Sequence, residues 1–372
     1  MDVIGIICEY NPFHNGHLYH IQKIKELYKD SIIVLVVNGY FLERGEISIL
    51  SKEDKTKIAL KNGVDLVVEL PFVYGSQSAD IFANASIKIL NELKVNKIVF
   101  GSECNDIKLL SKIVDIQLND PEYNNKVKEY LDQGLNYPTA MSKALNIDID
   151  INISNPNDLL AISYIKSIKL NNFNIKPISI KRTNDYHDKT SNDTIISASN
   201  IREKLKNNMK ITSYIPCGIK EYIKSINYDR LFELLKYKIL TDDDLSKYLT
   251  VDEGIENKIK KEIFNSNNIE ELINNTKTKR YTYNKISRMI IHILIGLLKS
   301  DNNLNMDYIK ILGFNTKGQE YLNSIRKNLN ISIKANHDSK IYEYELRASL
   351  IYDILTNSNT YDFEIKNKPV FK

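Results

Sequence analysis

The chain has 372 residues, of which 42% are hydrophobic and 26% charged, with a formal charge of +4. That composition is ordinary for a globular protein, and the length exceeds what one hydrophobic core usually organises, so two domains are expected. Residues 289–298 form the strongest apolar run, but His292 interrupts it and it is too short to cross a bilayer. No basic leader precedes the first strand, and Cys8, Cys104 and Cys217 match no metal or redox spacing, so reduced thiols in a cytoplasmic, membrane-free protein are expected.

Residues 3–8 are apolar without alternation, which suits a central parallel strand covered on both faces. Asn11 and Pro12 end it. Leu18, Ile21, Ile24 and Leu27 then recur at helical spacing, so His14, Asn15, Gly16 and His17 fall at a helix N-terminus. Unpaired N–H groups and the helix dipole favour a phosphate there, two imidazoles add donors, and a glycine lets the backbone approach closely. Four residues alone also fit a plain turn. Their position after the first strand of an α/β pattern, where open parallel sheets hold ligands, favours the phosphate.

Further strands are expected over residues 31–37, 66–70, 97–100 and 175–180, alternating with helices that begin at the Ser51–Asp54 cap and at Ser78. Alternating strands and helices imply an α/β, Rossmann-like parallel sheet of five strands with helices on both faces. Residues 106–150 read as a helical insertion. Gly101, Ser102 and Glu103 arrive at the same sheet edge as the His motif, as do Lys181 and Arg182. The polar loop over residues 183–194, with Tyr186, His187 and Asp188, reads as a lid or as plain surface. Ser197 opens the next helix, where it either caps or supplies phosphate donors, with Arg202 behind it.

A boundary is expected near residue 206, giving a domain over 1–205 and a mainly α-helical one over 206–372, with a helix over 307–311 and a terminal tail. Residues 1–205 carry 24 Lys and Arg against 26 Asp and Glu, whereas residues 206–372 carry 27 against 21, so a polyanion would prefer the second half. Within it, residues 273–300 contain no acid, while Lys277, Lys279, Arg280, Lys285, Arg288 and Lys299 are all present, with Tyr281 and Tyr283 interleaved. Such a run follows a phosphate backbone, or is a solvated face whose lysine stems cover the core.

These pieces resemble the bacterial tRNA(Met) cytidine acetate ligases. The likeness rests on residues 5–20, 39–45 (Gly-Tyr-Phe-Leu-Glu-Arg-Gly), 65–72 (Asp-Leu-Val-Val-Glu-Leu-Pro-Phe), 100–103, Arg182 with Tyr186-His187-Asp188, 197–202, 279–283 and 312–315. It implies a nucleotidyltransferase-type fold and a two-step ligase reaction. Acetate attacks the α-phosphate of ATP to give acetyl-adenylate and pyrophosphate, and the wobble cytidine of elongator tRNA(Met) then takes the acetyl group, releasing AMP. By the same resemblance His14 and His17 are catalytic. Ile7, Cys8, Glu9, Tyr10, Asn11, Pro12, Phe13, Asn15, Gly16, Leu18, Tyr19 and His20 line the ATP site with them, as do Gly101, Asn157 and Arg182. Ser197 and Arg202 join that site, either arginine holding pyrophosphate, and Mg²⁺ accompanies ATP. The basic helical part grips the anticodon loop through Lys277, Lys279, Arg280, Lys285 and Arg288. No obligate protein partner is inferred. One departure stands out: this chain has Pro156-Asn157-Asp158 where the family has Pro-Asn-Asn. Two other readings remain open, a small-molecule adenylyltransferase and a non-catalytic tRNA-binding protein.

Overall fold

The computed structural model describes residues 1–145, 155–182, 194–366 and 368–372. The loop with Tyr186, His187 and Asp188 lies outside the described residues. Seven strands form one sheet: β1 Val3–Cys8, β2 Ile32–Asn38, β3 Leu66–Leu70, β4 Lys97–Ser102, β5 Lys176–Lys181, β6 Ile311–Phe314 and β7 Val370–Phe371, in the order β5-β4-β1-β2-β3-β6-β7. The first five pair in parallel, in register from Val3 opposite Ile32 to Cys8 opposite Val37 across β1 and β2.

Helices α1 Asn15–Leu27, α2 Lys52–Lys61, α3 Phe72–Gly75, α4 Ala79–Glu92, α5 Ile107–Asn119, α6 Pro121–Asp132, α7 Tyr137–Ala144, α8 Pro156–Leu170 and α9 Ala198–Lys206 complete the first half. Strand β2 explains the two layers. Ile33, Leu35 and Val37 pack with Ile21 and Ile24 of α1, Ile58 of α2 and Ile201 of α9, while Ile32, Val34 and Val36 pack with α4, α5 and α8 on the opposite face. Helices α5 to α7 lie between residues 107 and 144, and α5 packs against α8.

The second half holds α10 Tyr228–Thr241, α11 Ile255–Glu262, α12 Ile269–Thr276, α13 Tyr283–Ile295, α14 Thr316–Ile325, α15 Lys340–Thr356 and α16 Tyr361–Lys366. It also corrects the strand count from five to seven. The segment expected as a helix over 307–311 leads into β6, antiparallel to β3, and the expected tail is β7, parallel to β6. Two segments so short carry no periodicity that separates strand from helix or coil. Among the described residues no helix is long and apolar enough to cross a membrane.

A buried charge cluster fastens the two halves. Lys52 Nζ of α2 pairs with Glu69 of β3, with Glu345 of α15 at 2.7 Å and with Glu364 of α16 at 2.7 Å, and Lys310 pairs with Glu364. Burial opposes ionisation of Glu364, yet the two ammonium groups hold its carboxyl down to about 2. Burial and then Glu345 push Glu69 up to about 7. These three carboxylates are close enough to hold a metal ion, and the lysine ammonium sits among them instead.

Candidate nucleotide-binding cleft

Strand order places the site. From β1 the chain runs to β2 on one side, while β4 lies on the other, so the crevice at the carboxyl ends of β1 and β4 is a topological switch point. The His motif leaves β1 there, and Gly101 sits at the end of β4.

His14 is the N-cap of α1. Its Nδ1 accepts from Gly16 N at 3.0 Å, and His17 Nδ1 accepts from His14 N at 3.2 Å. The rings lie 3.9 Å apart at 32°. Because each Nδ1 is an acceptor, the proton of each neutral imidazole belongs on Nε2, leaving two N–H donors beyond the cap. Gly16 is required by that fold-back: a Cβ there would come 2.8 Å from His14 Cε1. Burial, then Arg182 and Arg202, push His14 down to about 3; burial, then Arg182, push His20 down to about 4. His17 is lowered well below its usual value by burial and by His14, His20 and Arg182. The rings are therefore neutral at pH 7, in a field that favours an anion.

Two buried nitrogens, Arg182 Nε and His20 Nε2, make no hydrogen bond among the described residues, and the first of them faces Glu103 in an ion pair. Arg182 lies beside Gly101, whose Cβ position is 3.3 Å from Arg182 Cγ, and 3.5 Å from Glu103 Oε1. Asn157 Nδ2 donates to Glu103 Oε1 at 2.5 Å. The departure at Asp158 has a structural reason: Asp158 Oδ1 accepts from Ser102 Oγ at 2.5 Å and from Glu103 N at 3.0 Å, and its carboxylate also accepts from Cys104 N. A carboxylate thus ties α8 to the β4 turn.

The cavity here measures about 1180 Å³. Of residues 7–20 all but Pro12, Phe13, Asn15 and Leu18 line it, together with Gly101, Asn157, Arg182, Ser197 and Arg202. Phe13 packs on Tyr10, and Asn15 Nδ2 donates to Thr194 O and Ser213 O, so both brace the motif from behind. Ser197 Oγ caps α9 by accepting from Asn200 N. Arg202 spends two donors within the protein, on Asn11 O at 2.8 Å and Glu46 at 2.7 Å. Of the basic run, Arg280, Lys285 and Arg288 line the same cavity, Lys279 borders a groove beside Gly134 and Asn136, and Lys277 lies outside both. Lys285 sits 4.0 Å over the Tyr281 ring, Arg280 pairs with Glu253 at 2.6 Å, and Arg288 with Glu43 at 2.9 Å. Helix α13 reaches the wall by lying on Gly45, whose φ is +74° and whose Cβ position would be 2.4 Å from Arg288 N.

Sequence reasoning missed the far end of the cleft. Phe82 of α4, Leu135, Met141 of α7, and Leu159, Leu160 and Tyr164 of α8 make an apolar lobe, and Glu43 and Glu46 line the rim. Only helical periodicity marked the apolar positions, and that reads equally as core; Glu43 fell within the 39–45 motif, which carried no site role.

Fold and cleft together define a nucleotidyltransferase of the His-x-Gly-His class, and a family model described as HIGH nucleotidyl transferase matches residues 1–367. The chain is 39% identical to the tRNA(Met) cytidine acetate ligase of Clostridium perfringens, over 96% of either chain. It is 36% identical to that of Clostridium novyi over the full length of both. A crystal structure of Thermotoga maritima TmcAL without ligand superposes with a TM-score of 0.91 at 28% identity, covering 100% of this chain and 99% of that one. The same protein bound with alpha-thio ATP superposes with a TM-score of 0.88 at 28% identity and the same coverage. The chain belongs to the tRNA(Met) cytidine acetate ligase family.

Proposed function

We propose that this protein acetylates the wobble cytidine of elongator tRNA(Met) to N4-acetylcytidine in the cytoplasm, using acetate and ATP through acetyl-adenylate. The observation that carries this reading is the set of ring nitrogens at the switch point left without a partner among the described residues, the Nε2–H groups of His14 and His17 and Nε2 of His20, with the Arg182 guanidinium beside them. In-line displacement at phosphorus needs positioned donors more than a covalent nucleophile. An acetate oxygen attacks the α-phosphorus, the bond to pyrophosphate breaks, and His14, His17 and Arg182 stabilise the charge that develops on the phosphate oxygens. The cavity exceeds the ~300–1,000 Å³ of an ordinary small-molecule pocket, which supports a second substrate beside the nucleotide.

On the cavity wall Glu43 and Glu46 are held by arginines, Asp80 accepts from Ser163 Oγ at 2.8 Å and Glu9 is held through Oε1, and among the described residues the carboxylates close enough to share a metal lie elsewhere, so the fit is to a metal that arrives on its ligand. Mg²⁺ riding on the triphosphate would add charge neutralisation at the leaving pyrophosphate. Arg280, Lys285 and Arg288 at the mouth suit the backbone of a single-stranded anticodon loop, which presents its base without duplex opening.

Incubation with labelled acetate, ATP and tRNA tests the reading. Acetate-dependent pyrophosphate release and acetyl transfer to tRNA are expected; ATP turnover that needs a phosphorylated metabolite would mark a small-molecule adenylyltransferase, and tight tRNA binding without turnover a binding protein. His14→Ala and His17→Ala should each lower kcat by about 10²-fold or more with little change in tRNA affinity. An equal loss of both would contradict the role.

A further inference from the structure

We propose that Glu9 is the group that accepts the cytidine N4 proton during acetyl transfer, and that the same contact selects cytidine over uridine. The inference rests on the ligase reading above. The cleft wall around Glu9 is arranged for anions, with His14, His17 and Arg182 supplying donors, and both small substrates, ATP and acetate, are anionic. A carboxylate among these groups, with one oxygen left unheld by the protein, suits a donor brought by the second substrate.

Its geometry is that of a held base. Glu9 Oε1 is fixed by Asn38 Nδ2 at 2.9 Å and by Glu43 N at 2.8 Å, two donors from the end of β2 and the loop that follows it. Oε2 accepts no hydrogen bond among the described residues, and it is not sealed in, since Glu9 lines the cavity. The neighbours do not compete. Burial and then Glu9 push the Cys8 thiol up to about 12, and burial, then Cys8, Glu9 and Glu43, raise the Tyr164 phenol well above its usual value. Both stay protonated at neutral pH; of the charged groups that face Glu9, Glu43 is paired with Arg288 and Lys55 donates to Asn38 O and Gly39 O, so Glu9 Oε2 is left as an unheld acceptor.

The substrates bring three kinds of donor: adenine N6, ribose hydroxyls and cytidine N4. Only N4 loses a proton in the reaction. Its lone pair is delocalised into the pyrimidine ring, so N4 attacks the acetyl carbon effectively only as a proton departs. The C–N bond forms, the bond from the acetyl carbon to the phosphate oxygen breaks, AMP leaves with that electron pair, and one N4 proton passes to Glu9 Oε2. Cytidine presents an amine to the carboxylate and uridine a carbonyl oxygen, so the same contact repels uridine.

Glu9→Gln keeps the shape and the two donors to Oε1 while removing the base. In the holoenzyme assay with tRNA, transfer from acetyl-adenylate should slow about 10²-fold or more beyond any loss in acetate-dependent ATP–pyrophosphate exchange. Competition between anticodon stem-loops carrying cytidine or uridine at the target should favour cytidine about tenfold or more in the wild type and much less in the variant, since a glutamine both donates and accepts. Equal loss in both half-reactions, or a raised KM for ATP alone, would assign Glu9 to the nucleotide and overturn the proposal, as would normal transfer. Failure of the wild type to make acetyl-adenylate would overturn the ligase reading instead.

Discussion

Three imidazoles packed beside Arg182, His14 buried and His17 and His20 half-buried, make the stability of the empty protein fall as acid is added. For His14 the pKa drops from 6.5 to about 3 on folding, and for His20 from 6.5 to about 4, so below pH 6.5 the unfolded chain binds protons that the folded one refuses. The stability these rings contribute is complete above pH 6.5 and is lost progressively as the pH falls toward their folded values. At pH 5 the loss is roughly 2 kcal/mol for each ring. Thermal melts of the empty protein should therefore decline between pH 7 and pH 5, and ATP should flatten that decline, because a triphosphate beside the rings raises their pKa. A ligand-independent slope would count against phosphate at this position. Gly16 belongs to the same account, since a methyl group there displaces the His14 ring that caps α1.

At the scale of elements, α13 is the second half's contribution to the cleft. Arg280→Ala combined with Lys285→Ala should raise the KM for tRNA more than the KM for ATP, and should lower the log–log salt slope of tRNA binding by about 1.4. Unchanged salt dependence would remove the basic run from the RNA contact. Five parallel strands and the His-x-Gly-His turn were legible because β1 and β2 are continuous apolar runs, because the other three short segments alternate with helical patterns, and because that turn combines helix-start chemistry with donors. The apolar lobe was not: Tyr164 and Leu160 sit on α8 at spacings that packing alone explains. Nor did the sequence settle the basic run, and the structure divides it. Arg288 is bound to Glu43 and Lys285 covers Tyr281, while Arg280 is mostly exposed. The link between α13 and the loop over 39–45 rests on Gly45 taking a positive φ under another helix, which no local pattern announces.

For the molecule as a whole, the cluster around Lys52 joins residues nearly three hundred positions apart. Removing one partner of a buried ion pair costs about 3–5 kcal/mol, because the remaining charges are stranded in a dry interior. Lys52→Met should therefore lower the denaturant midpoint strongly, and adding Glu69→Gln should recover part of the loss by removing one stranded carboxylate. A midpoint within experimental error of the wild type would mean that water or repacking satisfies the acids. The antiparallel β6 has a related consequence for how the protein is made. Until residues 311–314 emerge from the ribosome, the nascent sheet stops at β3 with a row of open amides and carbonyls. A fragment cut near residue 206 should thus act as a template for stray strands and associate with its own copies.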